Sequence, residues 1–172
     1  RIDADNLDYL LEGGKMLLLP EKDYIKGNVK PCFPSIYWNC PWTDGGESDT
    51  LGMLCDPNHP VFNDFPTDMH TNWQWWGLMN DCKPMILNEM PRDFRPAIQM
   101  IDDWHRNRKL GLLFEAKVGG GSVLVCCMDI ESGLDERPAA RQLKTSIYNY
   151  MQSENFAPQQ SISTEELRAV FN

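Results

Sequence analysis

The chain has 172 residues, 42% of them hydrophobic and 24% charged, a size and balance that suit one globular domain able to fold without a metal or disulfide framework. No apolar run approaches the ~20 residues a membrane-spanning helix needs. The net charge of −9 repels phosphate backbones and anionic lipid, which argues against nucleic acid or a membrane as partner.

The first element is expected at Asp5 to Leu11, where Leu7, Leu10 and Leu11 fall at helical spacing and Asp5 is placed to cap. Gly13-Gly14 ends that helix, and the apolar run from Lys15 to Leu19 follows as a strand stopped by Pro20. Helix, glycine pair and apolar strand together suggest a parallel sheet covered on both faces. The opening on Arg1-Ile2-Asp3-Ala4, with neither an initiator Met nor a signal peptide, reads as an excised piece of a larger chain. Residues 21–50 carry three prolines and three glycines interleaved with Phe33, Tyr37, Trp38 and Trp42, a long irregular segment of the kind that forms interfaces.

Leu51 to Leu54 reads as a short buried strand, and Asp56 or Asn58 as the cap of a short helix ending near Phe65. The aromatic stretch His70 to Met79 follows, then short strands at Pro84 to Leu87 and Ala97 to Ile101. Leu110 to Val118 and Ser122 to Ile130 are strand-like runs joined by Gly119-Gly120-Gly121, an antiparallel hairpin. A helix from Asp135 or Glu136 to Ser153 should bury Ala140, Leu143, Ile147 and Tyr150, with Pro138 in its first turn. Ser163 and Glu166 form a capping box for a last helix through Phe171. These elements give a single α/β domain over residues 1–172, a three-layer sandwich with a mostly parallel sheet and the hairpin at its edge.

Six tryptophans invite a functional reading, because an indole face stacks on the apolar face of a sugar ring. Trp73 and Trp76 share a helical face while Trp75 points elsewhere. Packing, in the core or against a neighbouring domain, is preferred over a sugar platform for Trp38, Trp42, Trp73, Trp75 and Trp76. His59, His70 and His105 match no metal spacing, and neither His-x-x-x-His nor Cys-x-x-Cys occurs, so no metal and no cofactor are expected. Asp102, Asp103, Glu115 and Asp129 supply carboxylates, but no pair stands out as an acid and base; the adjacent aspartates read as a cap and a solvated charge. Cys55 lacks the glycines of a nucleophile elbow and is followed by Asp56-Pro57. Cys126 and Cys127 read as small core residues, and a Cys32–Cys40 disulfide stays open. No catalytic residue is assigned.

Several strings then resemble one family in the same order: Gly14-Lys15-Met16-Leu17-Leu18-Leu19-Pro20, Tyr37-Trp38-Asn39, Leu51 to Pro60, Phe65-Pro66-Thr67, His70-Thr71-Asn72-Trp73-Gln74-Trp75-Trp76 and Leu112 to Gly119. They resemble the C-terminal region of secreted bacterial glycoside hydrolase family 2, β-galactosidase-like proteins. The resemblance implies a flavodoxin-like, class I glutamine amidotransferase-like accessory domain without its nucleophile elbow, carried by a periplasmic or extracellular parent that hydrolyses O-glycosidic bonds on a separate barrel. The expected role is a non-catalytic scaffold contacting other domains of the parent glycosidase or a second copy in a homo-oligomer. A carbohydrate-binding module would instead need exposed, coplanar tryptophans. A cryptic hydrolase would need Cys, His and an acid to converge in one pocket.

Overall fold

The structure, a computed structural model, describes residues 2–32, 50–103 and 105–172. Trp38, Trp42 and Trp104, and the Cys40 half of the suggested disulfide, lie outside the described residues. The helices are α1 (Ala4–Leu11), α2 (Trp76–Met79), α3 (Pro138–Gln152) and α4 (Thr164–Arg168). The strands are β1 (Lys15–Leu18), β2 (Met53–Cys55), β3 (Met85–Ile86), β4 (Ile98–Met100), β5 (Leu110–Val118) and β6 (Gly121–Cys126).

These strands form one sheet in the order β1-β6-β5-β4-β2, with β3 also pairing β5. Among the described strands only β1 and β6 pair in parallel and the other strand pairings are antiparallel, with one isolated parallel bridge between Lys117 and Ser161. The mostly parallel, flavodoxin-like sandwich is therefore incorrect, and so is the amidotransferase-like architecture. A doubly wound sheet needs a helix between successive parallel strands, whereas β4, β5 and β6 follow one another through short irregular connections. The hairpin is likewise not an edge feature, since β5 and β6 sit inside the sheet with β1 outside β6.

The parallel reading rests on the apolar strand at Lys15 to Leu19, which does pair β6 in parallel, but it does not extend to strands such as β5. Leu110, Leu112, Leu113, Phe114, Ala116 and Val118 are all fully buried, so the strand is apolar on both faces, as a parallel strand would be. Successive side chains of a strand point to opposite faces. Phe114 meets Phe94 edge-on at 5.6 Å, while Glu115 on the other face accepts a hydrogen bond from Tyr150 of α3. One cover is thus a long helix and the other is the irregular 87–96 segment. Burial alone does not distinguish them.

Local signals fared better. Ser163 and Glu166 complete both bonds of the capping box, although α4 stops at Arg168 rather than Phe171. Pro138 opens α3, whose buried face includes Ala140, Leu143, Ile147 and Tyr150. The cap of α1 is Asp3 rather than Asp5, its carboxylate accepting from the Asn6 N–H at 2.9 Å. Gly13 takes the positive φ that ends α1. Gly121 abuts the carbonyl oxygens of Leu10 and Gly14 so closely that a Cβ there would collide with both. The α1 exit and the hairpin turn interlock backbone to backbone, with Gly120 N–H donating to Leu11 O and Ser122 N–H to Gly14 O.

Candidate functional site

Among the described residues, two places bring together the tryptophans and the Cys, His and acid side chains singled out in the sequence. The first is the aromatic segment. Asn72 caps a 3-10 turn over Trp73–Trp75, its side-chain oxygen accepting from Gln74 N–H at 3.0 Å while its amide donates to Asp68. Gln74 reaches back to Pro66 O, and the Trp75 indole N–H donates to Thr67 Oγ1 at 2.9 Å. Trp75 is fully buried, its ring edge-on to Phe62 and Phe65. Helical spacing then turns Trp73 and Trp76 outward together, 79% and 47% exposed. Their ring centroids lie 5.4 Å apart with planes inclined at 54°, so the pair makes a V rather than the flat platform a carbohydrate-binding module was expected to need. Of the five tryptophans singled out, Trp75 packs in the core, Trp73 and Trp76 do not, and Trp38 and Trp42 fall outside the described residues.

The second place is a cleft of about 410 Å³ bounded by Leu54 and Cys55 of β2, the start of β4 and residues 159–160; His59, Glu115, Arg95 and Gln99 also line it. Here Cys55, His59 and an acid share one pocket, as a cryptic hydrolase would require, but they are not wired as a triad. His59 is the cap of the 3-10 turn Pro60–Phe62, its Nδ1 accepting from Val61 N–H at 3.2 Å. Its Nε2 lies 3.9 Å from Glu115 Oε1. Cys55 Sγ instead donates to Asp68 O at 3.4 Å, and burial followed by the nearby Asp56 carboxylate pushes its thiol up to about 11. A nucleophilic cysteine needs the opposite shift.

The Tyr150 hydroxyl donates to Glu115 Oε2 at 2.6 Å, and burial, reinforced by that carboxylate, raises the phenol above its ordinary range. In the sequence Glu115, Tyr150 and His59 stand apart, as a spare carboxylate, a member of the α3 stripe and a histidine with no metal spacing. The one available signal was a glutamate inside the apolar run of β5.

The remaining carboxylates are structural. Asp102 and Asp103 are both buried, which corrects the solvated reading. Asp102 takes Arg108 in a two-pronged pair at 2.8 and 2.9 Å. Burial raises its pKa, but the bonds from the Arg108 side chain and backbone outweigh that and lower it. Burial also raises Asp129, yet bonds from Ser132, Glu131 N–H and Arg137 bring it to about 2. Arg137 in turn binds Asp129 Oδ2 at 3.0 Å and Gly77 O at 3.1 Å, fastening the start of α3 to α2. Cys126 and Cys127 are buried, and desolvation pushes Cys126 up to about 12. Among the described residues no group of three or more His, Cys, Asp or Glu is placed to hold a metal ion, and no helix is long and apolar enough to cross a membrane.

A family model described as a domain of unknown function, DUF8487, matches residues 1–172. The chain belongs to this family. No curated protein matches it. The family's description assigns no activity, so function has to be argued from the geometry of the two sites.

Proposed function

We propose that this domain is a non-catalytic docking module of a family 2 glycosidase, seated on another domain of the parent through Trp73 and Trp76. The observation that carries the reading is the exposure of two adjacent indoles on a segment whose own bonds leave it little freedom. Paired exposed aromatics on a rigid support are the usual anchors of protein interfaces, and neither ring is used to fill the core. The resemblance of the strings around residues 14–20, 51–60 and 70–76 to family 2 glycosidases supplies the parent, and with it a periplasmic or extracellular address. The thiol of Cys55, shifted away from reactivity, favours docking over hydrolysis at this domain.

The test uses the full parent chain carrying Trp73→Ala and Trp76→Ala together. If the reading holds, calorimetry shows this domain melting apart from the rest, and limited proteolysis releases it. Unfolding and cleavage indistinguishable from the unsubstituted parent would remove the docking role.

A further inference from the structure

We infer that the cleft between β2, the start of β4 and residues 159–160 is a binding site for a neutral polyhydroxylated ligand, a monosaccharide or polyol, held between His59 and Glu115. This inference does not rest on Trp73 or Trp76. It starts from which atoms are already engaged. Nδ1 of His59 accepts the Val61 N–H, which places the imidazole proton on Nε2. Glu115 Oε2 accepts the Tyr150 hydroxyl. What remain toward the cleft are one donor, His59 Nε2–H, and one acceptor, Glu115 Oε1, 3.9 Å apart.

That separation is too long for a direct hydrogen bond but suits one oxygen set between them, accepting from the ring and donating to the carboxylate. A hydroxyl group does both with a single atom; a carboxylate or a dianionic phosphate ester, which carries no proton, does not. Neither partner has to reorganise to make the contact. His59 is flanked edge-on by Phe62 and Tyr150 at 6.3 and 5.7 Å, and Glu115 stands in the middle of β5 with its side chain only 14% exposed.

The rest of the cleft fits the same ligand class. Leu54, Pro96 and Ala97 offer an apolar wall for C–H groups, while Gln99 supplies both a donor and an acceptor. Asp56 and Glu115 outnumber the one cation, Arg95, so an anionic ligand gains nothing. The volume of about 410 Å³ falls in the ordinary range for small-ligand sites.

The experiment is a two-dimensional NMR titration of the labelled chain with methyl β-D-galactopyranoside, methyl β-D-glucopyranoside and myo-inositol, each taken to about 50 mM to reach weak binding. At least one should give saturable shifts at the backbone amides of Ala97, Gln99, Glu115 and Gln160. Glu115→Gln, which places an amide where the bridging oxygen needs an acceptor, should weaken that binding about tenfold or more, the loss of one charge-assisted bond. Ala97→Leu fills the cleft from its wall and gives a second test should Glu115→Gln fold poorly. No saturable shift with any of the three, shifts confined to the Trp73 and Trp76 indoles, or cleft shifts that survive both substitutions would each overturn the assignment.

Discussion

Trp73 and Trp75 stand two residues apart in one turn, yet their replacement by alanine should differ by several kcal/mol. Trp75 is fully buried against Phe62 and Phe65, and its indole N–H bonds Thr67. Removing such a ring leaves a cavity and costs about 3–5 kcal/mol. At about 2–4 °C per kcal/mol for a domain this large, Trp75→Ala should lower Tm by roughly 6–20 °C. Trp75→Phe keeps most of the packing but leaves the Thr67 hydroxyl without its donor, for about 1–3 kcal/mol. Trp73, 79% exposed, should cost within about 0.5 kcal/mol when truncated in the isolated domain. Urea unfolding followed by far-UV circular dichroism separates the three, since the midpoint and slope of each transition, rather than the absolute signal to which the indoles contribute, give the stability. If Trp73→Ala destabilised the isolated domain as much as Trp75→Ala, the ring would be packed within its own fold, and the argument that it is held out for a partner would fail.

Asp129 predicts an acid limb. Its folded pKa of about 2 lies below the ordinary value of 3.8, so its contribution is complete above about pH 4 and fades as pH falls toward 2. Its side chain is 30% exposed, which screens the pair, so Asp129→Asn should cost about 1–2 kcal/mol at pH 7 and close to nothing at pH 2; an equal loss at both, measured by urea unfolding, would contradict the electrostatic origin. Gly121→Ala should destabilise by about 3 kcal/mol or more, because two backbone carbonyls rather than pliable side chains block the new Cβ. Gly77→Ala, in α2 with nothing near its Cβ direction, should instead stabilise by about 0.4–1 kcal/mol, and thermal melts of both variants check the contrast. Cys55, shifted to about 11 from 9.0, should alkylate with iodoacetamide on the order of 100-fold more slowly at pH 7.5 than an ordinary thiol. Mass spectrometry of a timed reaction reads the rate, and labelling as fast as a free peptide cysteine would refute the shift.

What could be seen in the residues was what depends on near neighbours. The Ser163–Glu166 box, the Ala140-Leu143-Ile147-Tyr150 stripe, the Gly119-Gly120-Gly121 hairpin and the divergence of Trp73 and Trp76 from Trp75 all follow from rules that span a few positions. Sheet order does not. Nothing local in Met16-Leu17-Leu18 names Val123-Leu124-Val125 as its partner, and nothing in Ile98-Gln99-Met100 says that it lies antiparallel to β5. An apolar strand covered by a loop reads the same as one covered by a helix, so nothing limited the parallel reading at Lys15 to Leu19 to that one strand. The cleft was hidden for a similar reason: His59, Glu115 and Tyr150 belong to three separated segments and meet only once the sheet and α3 are in place.

The parallel pairing of β1 with β6 also sets an order of assembly. Lys15 sits opposite Ser122 in the register, so the first strand leaves the ribosome about 100 residues before the segment it binds. At about 5–20 residues per second that is a wait of roughly 5–20 s. During it β1 has no strand to pair with, and the apolar side chains of Met16, Leu17 and Leu18 have no β6 to cover them. The hairpin, whose two strands emerge together, closes fast once made and presents β6 as a template. The outermost strand of the finished sheet is therefore the first one synthesised and among the last to be secured.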